Sequence, residues 1–227
     1  MKNLTDQEIL SAISTFEKIK DINPAACDFI KSYREEFLRR REKEHHGMSK
    51  ISIMNYRQKM LNPFALFDSD FEDIGEQMSI TLPRICRFWG QTQEFYSVAQ
   101  HCISMVEYFE GDLELQRYAI LHEVFEAFSF DCATPIKKML PAYKSAEDRA
   151  LESVVRLHKL RWPIPPIIKE VDKGLMVMEA KILMGDRDGY WHQYGSQCGE
   201  LYRAEAGMKE IKDDFSSTYL CLFGGVS

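Results

Sequence analysis

The sequence predicts an all-α fold, on three observations. Apolar residues recur three and four apart in one segment after another, which is the spacing of a single helix face. Ser/Thr-led pairs of the kind that cap helix starts stand before several of these segments. Few segments alternate as half-buried strands do, and there is no internal repeat, low-complexity tract or Gly-rich phosphate loop.

Taken in order, Thr5 and Glu8 form a capping box for a first helix through Ile9, Ile13 and Phe16. Asn23-Pro24 opens a second carrying Phe29, Tyr33 and Phe37. Its later part, RRREKEHH, mixes both signs of charge as a solvated face does. Residues 1–60 therefore read as a helical N-terminal extension, followed by a second domain over 61–227. Ser69 and Glu72 form a capping box for a short acidic helix that Pro83 ends, and RFWGQT follows as a loop. Ser97 and Gln100 cap a helix whose stripe is Val98, Cys102, Met105 and Phe109, with His101 among them. A lone histidine on an apolar face is more often a satisfied core residue than a ligand, so His101 gains weight only if it converges with another. Beyond Pro141, Ser145 and Asp148 cap a helix through Leu151, Val154, Val155 and His158. The prolines of WPIPPIIK then impose a rigid connection. A helix from about Ile167 places Ile168, Val171, Leu175, Met178 and Ile182 on one side, with Asp172 beside them. One more helix is expected around residues 198–213.

The chemistry concentrates in residues 118–138, YAILHEVFEAFSFDCATPIKK. Its first half reads as one buried helix with Leu121, Val124, Phe125 and Phe128 as its stripe. His122, Glu123 and Glu126 stand on that helix, and His122 and Glu126, four apart, share a face. Burying such groups costs several kcal/mol, on the order of 2–7 even for a neutral polar group, unless a partner or a metal compensates. After a break at Asp131 and Cys132, Thr134 and Pro135 read as the N-cap and first residue of another helix. Lys137 and Lys138 in its first turn oppose the macrodipole, so helix stability does not account for them. The stretch fits a metal-and-phosphate site, and equally a core helix whose histidine and carboxylate close on one another.

Composition bounds the function. With 227 residues and 45% hydrophobic content the chain can build a substantial core, and its net charge of −6 argues against a general nucleic-acid or anionic-membrane binder. The six cysteines are scattered without a CxxC, the pattern of free thiols in a reducing cytosol and not of a cysteine zinc site. The start MKNLTDQE is polar and no run of eighteen apolar residues occurs, so a cytoplasmic, membrane-free protein is expected. His101, His122, Glu123, Glu126, Asp131 and Asp172 come from three expected helices. Such a mix of imidazoles and carboxylates suits a divalent ion such as Mn, Co, Zn or Mg.

From residue 62 to 185 the chain resembles the HD-domain phosphohydrolases, within them the YfbR-like 5′-deoxynucleotidases and related phage nucleotide hydrolases. The resemblance is carried by EDIGEQMSITLPRICRFWGQT, YSVAQH, LHEVFEA, FDCATPIKKMLP and the late EVDKGLMVMEA, in that order and spacing. It implies an HD-domain helical bundle in which His101, His122, Glu123 and Asp172 hold the metal. It further implies Glu126 as the catalytic glutamate and Asp131 as the ligand of the sugar hydroxyl. Arg87, Thr134 and Lys137 would sit at the phosphates, and Trp89 could stack on a base. The sequence departs from the family at Glu123, where Asp is usual, and at Phe130, where Gly is usual; Trp89 stands where the commoner phage pattern has Asn.

The implied function is metal-dependent hydrolysis of a (deoxy)nucleotide, either a 5′-monophosphate or, as in the phage dATP triphosphohydrolases, a triphosphate. The expected partner is a small nucleotide, with no stable nucleic-acid binding. A homo-oligomer is expected, in the host cytoplasm if a phage encodes the chain. The competing reading, motivated by Glu123 and Phe130, is an attenuated nucleotide-binding or interaction module. A third is a phosphodiesterase acting on a signalling nucleotide.

Overall fold

The computed structural model describes residues 15, 31–32 and 53–224. The two capping sites expected near Thr5 and Asn23, and the run RRREKEHH, lie outside the described residues. Contacts divide the chain into two compact units, Met1–Met54 with Gln58–Asn62, and Asn55–Arg57 with Pro63–Ser227. In the first, β1 (Ile53–Met54) pairs antiparallel with β2 (Met60–Leu61), Ile53 opposite Leu61. Residues 53–61 thus form a hairpin where sequence reading expects the end of a helical extension. Apart from it the described fold is all-α.

In the second unit, Asp68–Phe71 form a 3-10 turn and α1 runs over Ile74–Thr81. The turn is started by the Asp70 carboxylate, which accepts from the Phe67 N–H at 2.9 Å; the expected Ser69–Glu72 box does not operate. α2 (Val98–Tyr108) begins as the sequence indicates: Ser97 Oγ accepts from Gln100 N at 3.2 Å, and Gln100 Oε1 accepts from Ser97 N at 2.8 Å. Every residue of α2 from Val98 to Val106 is buried, because α3, α6 and α7 all pack against it. Each apolar side chain so enclosed contributes about 1.5–3 kcal/mol.

α3 (Leu113–Leu121) starts at Asp112, whose carboxylate accepts from Leu115 N at 3.0 Å. It does not continue through Phe128 as expected. It stops at Leu121, Glu123 leaves the helical region (φ −100°, ψ 23°), and Val124–Phe128 form a separate 3-10 turn. His122 and Glu126 therefore do not share a helix face. α4 (Thr134–Lys137) is a single turn with Ala133 at its N-cap, one residue earlier than expected. α5 (Pro141–Leu157) has Pro141 as its first residue, so Ser145 lies inside the helix and accepts from Arg149 instead of capping. α6 (Pro166–Met184) buries Ile168, Val171, Leu175 and Met178 as expected, but Ile182 is 56% exposed. α7 spans Met208–Phe223, ten residues later than the expected start, where Glu210 accepts from Gly207 N at 3.1 Å.

Candidate metal centre

Three elements bring four ligand-bearing side chains together. His101 comes from the first turn of α2, His122 and Glu123 from the abrupt end of α3, and Asp172 from α6. One ligand atom of each lies within 4.8 Å of all the others, a group able to hold a metal ion. His101 Nε2 is 3.1 Å from His122 Nε2 and 3.2 Å from Asp172 Oδ1. His122 Nε2 is 3.6 Å from Glu123 Oε1 and 3.9 Å from Asp172 Oδ1. The break after Leu121 makes this possible, since adjacent residues of a continuous helix point about 100° apart. Glu123, for all its extra methylene, reaches the group.

The far side of each ring decides what faces inward. His101 Nδ1 lies 2.7 Å from Glu179 Oε1, and His122 Nδ1 lies 2.6 Å from the Ala119 carbonyl oxygen. A carboxylate and a carbonyl only accept, so each Nδ1 carries a proton, and a ring in its neutral form presents a bare lone pair at Nε2. With both rings neutral, two lone pairs and two carboxylate oxygens would face one another without a donor, an arrangement stable only around positive charge, whether a cation or a second proton on one ring. The titration behaviour agrees. Burial and the Arg87 cation work against charging His101, yet Glu179 and Asp172 outweigh them and lift it to about 9. Burial pushes His122 down. Burial also opposes the charged forms of Glu123 and Asp172, but the histidines hold both carboxyls below their usual range. A proton on His101 thus takes the place that a cation would fill. A third of the Asp172 side chain (36%) meets solvent while the other three are nearly enclosed, so access is from the α6 side.

Around this group stand the other residues singled out by sequence. Arg87 is buried, its Nε donating to Glu179 Oε2 at 2.9 Å and its Nη1 3.7 Å from Glu123 Oε1. Glu126 is enclosed, and its Oε2 has no hydrogen-bond partner among the described residues; burial and the Glu123 and Asp131 charges push its carboxyl well up. Asp131 Oδ2 accepts from Phe88 N, and its carbonyl from the Trp89 indole, both at 2.9 Å. The turn Arg87–Gly90 makes this clamp with both Phe88 and Trp89 in the left-handed region (φ 53° and 55°). Trp89 is otherwise half exposed, and Phe88 meets the edge of Trp191. Lys137 is paired with Glu147, whose carboxylate also accepts from Lys144. Thr134 is exposed on its turn of α4, and no contact ties it to the group. Phe130 is exposed too, with its carbonyl accepting from Tyr143 at 2.7 Å.

Sequence reasoning missed two carboxylates, Glu179 and Glu147. Glu179 had a legible signal: it stands seven residues after Asp172, two turns along the same face of α6. Glu147 had none, because exposed acids are common on a helix such as α5. No family model matches the chain. Over 118 residues it is 30% identical to the uncharacterized protein YfdR of Escherichia coli (strain K12), a match that covers 50% of this chain and 63% of that relative. The chain therefore matches less than two thirds of YfdR's length. No described helix is long and apolar enough to cross a membrane.

Proposed function

We propose that the chain is a metal-dependent phosphohydrolase of the HD-domain type acting on (deoxy)nucleotides, as 5′-monophosphates or triphosphates. The observation that carries this reading is the convergence of ligand atoms of His101, His122, Glu123 and Asp172 within 4.8 Å of one another. Two imidazoles and two carboxylates suit Zn, Mn or Co, and Mg less well. A divalent ion held there supplies Lewis-acid charge at the phosphoryl oxygen and acidifies water.

The chain's own groups do the rest. Glu126, enclosed and with one carboxylate oxygen unpaired, would receive the proton of the attacking water as the phosphorus–oxygen bond to the leaving group breaks, once a bound cation offsets the Glu123 and Asp131 charges that with burial push its carboxyl up. Asp131, fixed by the Phe88–Trp89 turn, has its Oδ1 for a sugar hydroxyl, and the exposed Trp89 ring lies beside it for the base. Arg87 and Lys137 carry positive charge toward the phosphates.

One observation favours a second reading, an attenuated nucleotide-binding module. Both cations are already matched by carboxylates, Arg87 by Glu179 and Glu123, and Lys137 by Glu147. The deciding experiment is a product screen of nucleoside mono- and triphosphates with Mn, Co, Zn and Mg each supplied. Hydrolysis with at least one ion, lost on chelation, supports the enzyme. Nucleotide binding without turnover under any ion supports the module.

A further inference from the structure

Glu179 is a fully buried carboxylate to which the reading above gives no part. It lies two turns beyond Asp172 on α6, and both of its oxygens are engaged, Oε1 with His101 Nδ1 at 2.7 Å and Oε2 with Arg87 Nε at 2.9 Å. Arg87 in turn brings Nη1 to 3.7 Å from Glu123 Oε1. The line Glu123–Arg87–Glu179–His101 thus ties two ligands from separate elements through a pair that is not itself among the four ligands. Arg87 sits on the Arg87–Gly90 turn, whose first N–H donates to the Tyr96 carbonyl just ahead of α2, so its backbone is anchored beside the helix that carries His101.

The geometry points to Glu179 as a positioning residue of the metal centre, acting with Arg87. Glu179 fixes His101 as the Nδ1–H form with its Nε2 lone pair aimed at the ion, and through Arg87 it steadies the Glu123 carboxylate. This rests on the reading of the four residues as a metal site. It also gives Arg87 work apart from any phosphate: its nearest described partners are the carboxylates of Glu179 and Glu123, and its guanidinium is almost wholly enclosed. An outer carboxylate of this kind raises the basicity of the imidazole and locks its orientation, and losing one weakens metal affinity by about 10–100-fold.

The test uses the full chain and Zn2+ alone, by competition titration, with the imidazole N–H resonances of the zinc-loaded protein as a second readout. Glu179→Gln should weaken zinc about 10–100-fold. It should shift or remove the His101 N–H resonance while leaving that of His122, which is held by the Ala119 carbonyl. Because that variant removes the charge of the closer of Arg87's two carboxylate partners while the guanidinium stays buried, it can fail to fold. The double variant Arg87→Met/Glu179→Leu replaces the pair with apolar groups of similar bulk and keeps the test open. It too should bind zinc more weakly, and its unfolding midpoint in the metal-free state should stay near the parent's. Parent-like zinc affinity with an unchanged His101 resonance in either variant overturns the positioning role while the metal site stands. A parent chain that takes up no zinc overturns both.

Discussion

Glu123→Asp removes one methylene from the ligand that departs from the family pattern, withdrawing its carboxylate by about 1.5 Å. In the structure Glu123 Oε1 is 3.6 Å from His122 Nε2 and 3.7 Å from Arg87 Nη1, so the carboxylate stands between the ligand group and its buried cation. Sites of this kind need their ligands placed within about 0.5 Å, so the shorter side chain falls short. A metal bound only by the folded chain stabilises it by about 2.7 kcal/mol at a hundred times Kd. For a chain of 227 residues that raises Tm by about 5–11 °C. If Glu123→Asp weakens affinity about 10–100-fold, the same metal concentration gives about 0.4–1.4 kcal/mol, or a rise of about 1–6 °C. Differential scanning fluorimetry of parent and variant, each with and without metal, reads this directly. A variant whose metal-induced rise equals or exceeds the parent's would refute the reasoning and favour a decayed site that prefers the shorter acid. Adding Phe130→Gly should not rescue the variant, because Phe130 is exposed and packs on Tyr143.

Glu126→Gln should leave metal affinity unchanged and slow nucleotide turnover by about 10²–10⁴; unchanged turnover removes it from the mechanism. His158, whose Nε2 accepts from Tyr219 at 2.7 Å, is pushed by burial and then by Arg117 from 6.5 to about 4. The unfolded chain therefore binds a proton that the folded chain lacks between about pH 6.5 and 4. Stability from this group is complete above that window and falls as pH drops through it, and a denaturant series in His158→Gln should show a shallower fall than the parent. Gly75→Ala would drive a methyl into the Tyr219 ring, itself tied to His158, and should destabilise by about 1–3 kcal/mol in urea unfolding.

What the sequence disclosed was what local rules control. The Ser97–Gln100 box and the stripe behind it place α2, and with it His101, because capping and amphipathic spacing are decided within a few residues. The candidate ligands were legible because a buried ionisable group without a local partner stands out. The end of α3 was not. No glycine or proline marks Leu121, and the break is set by His122 turning its Nδ1 onto Ala119 while Val124 and Phe125 turn into the core, which is tertiary packing overriding local preference. The Ser145–Asp148 pattern suggests a later start for α5, but Pro141 begins it, since proline's preset φ wins over that pattern. The spacing of Glu179, two turns beyond Asp172 on α6, was legible, but its part was not, because its partners Arg87 and His101 arrive from elsewhere in the chain.

The central claim, that His101, His122, Glu123 and Asp172 together hold one cation, is tested most directly by equilibrium dialysis followed by elemental analysis. The parent chain is predicted to retain about one divalent ion per chain, the occupancy of a single site with ligands on several of its positions, and Asp172→Ala and His101→Ala are each predicted to lose it. A parent that retains none, or an ion that survives the loss of either residue, would contradict the account.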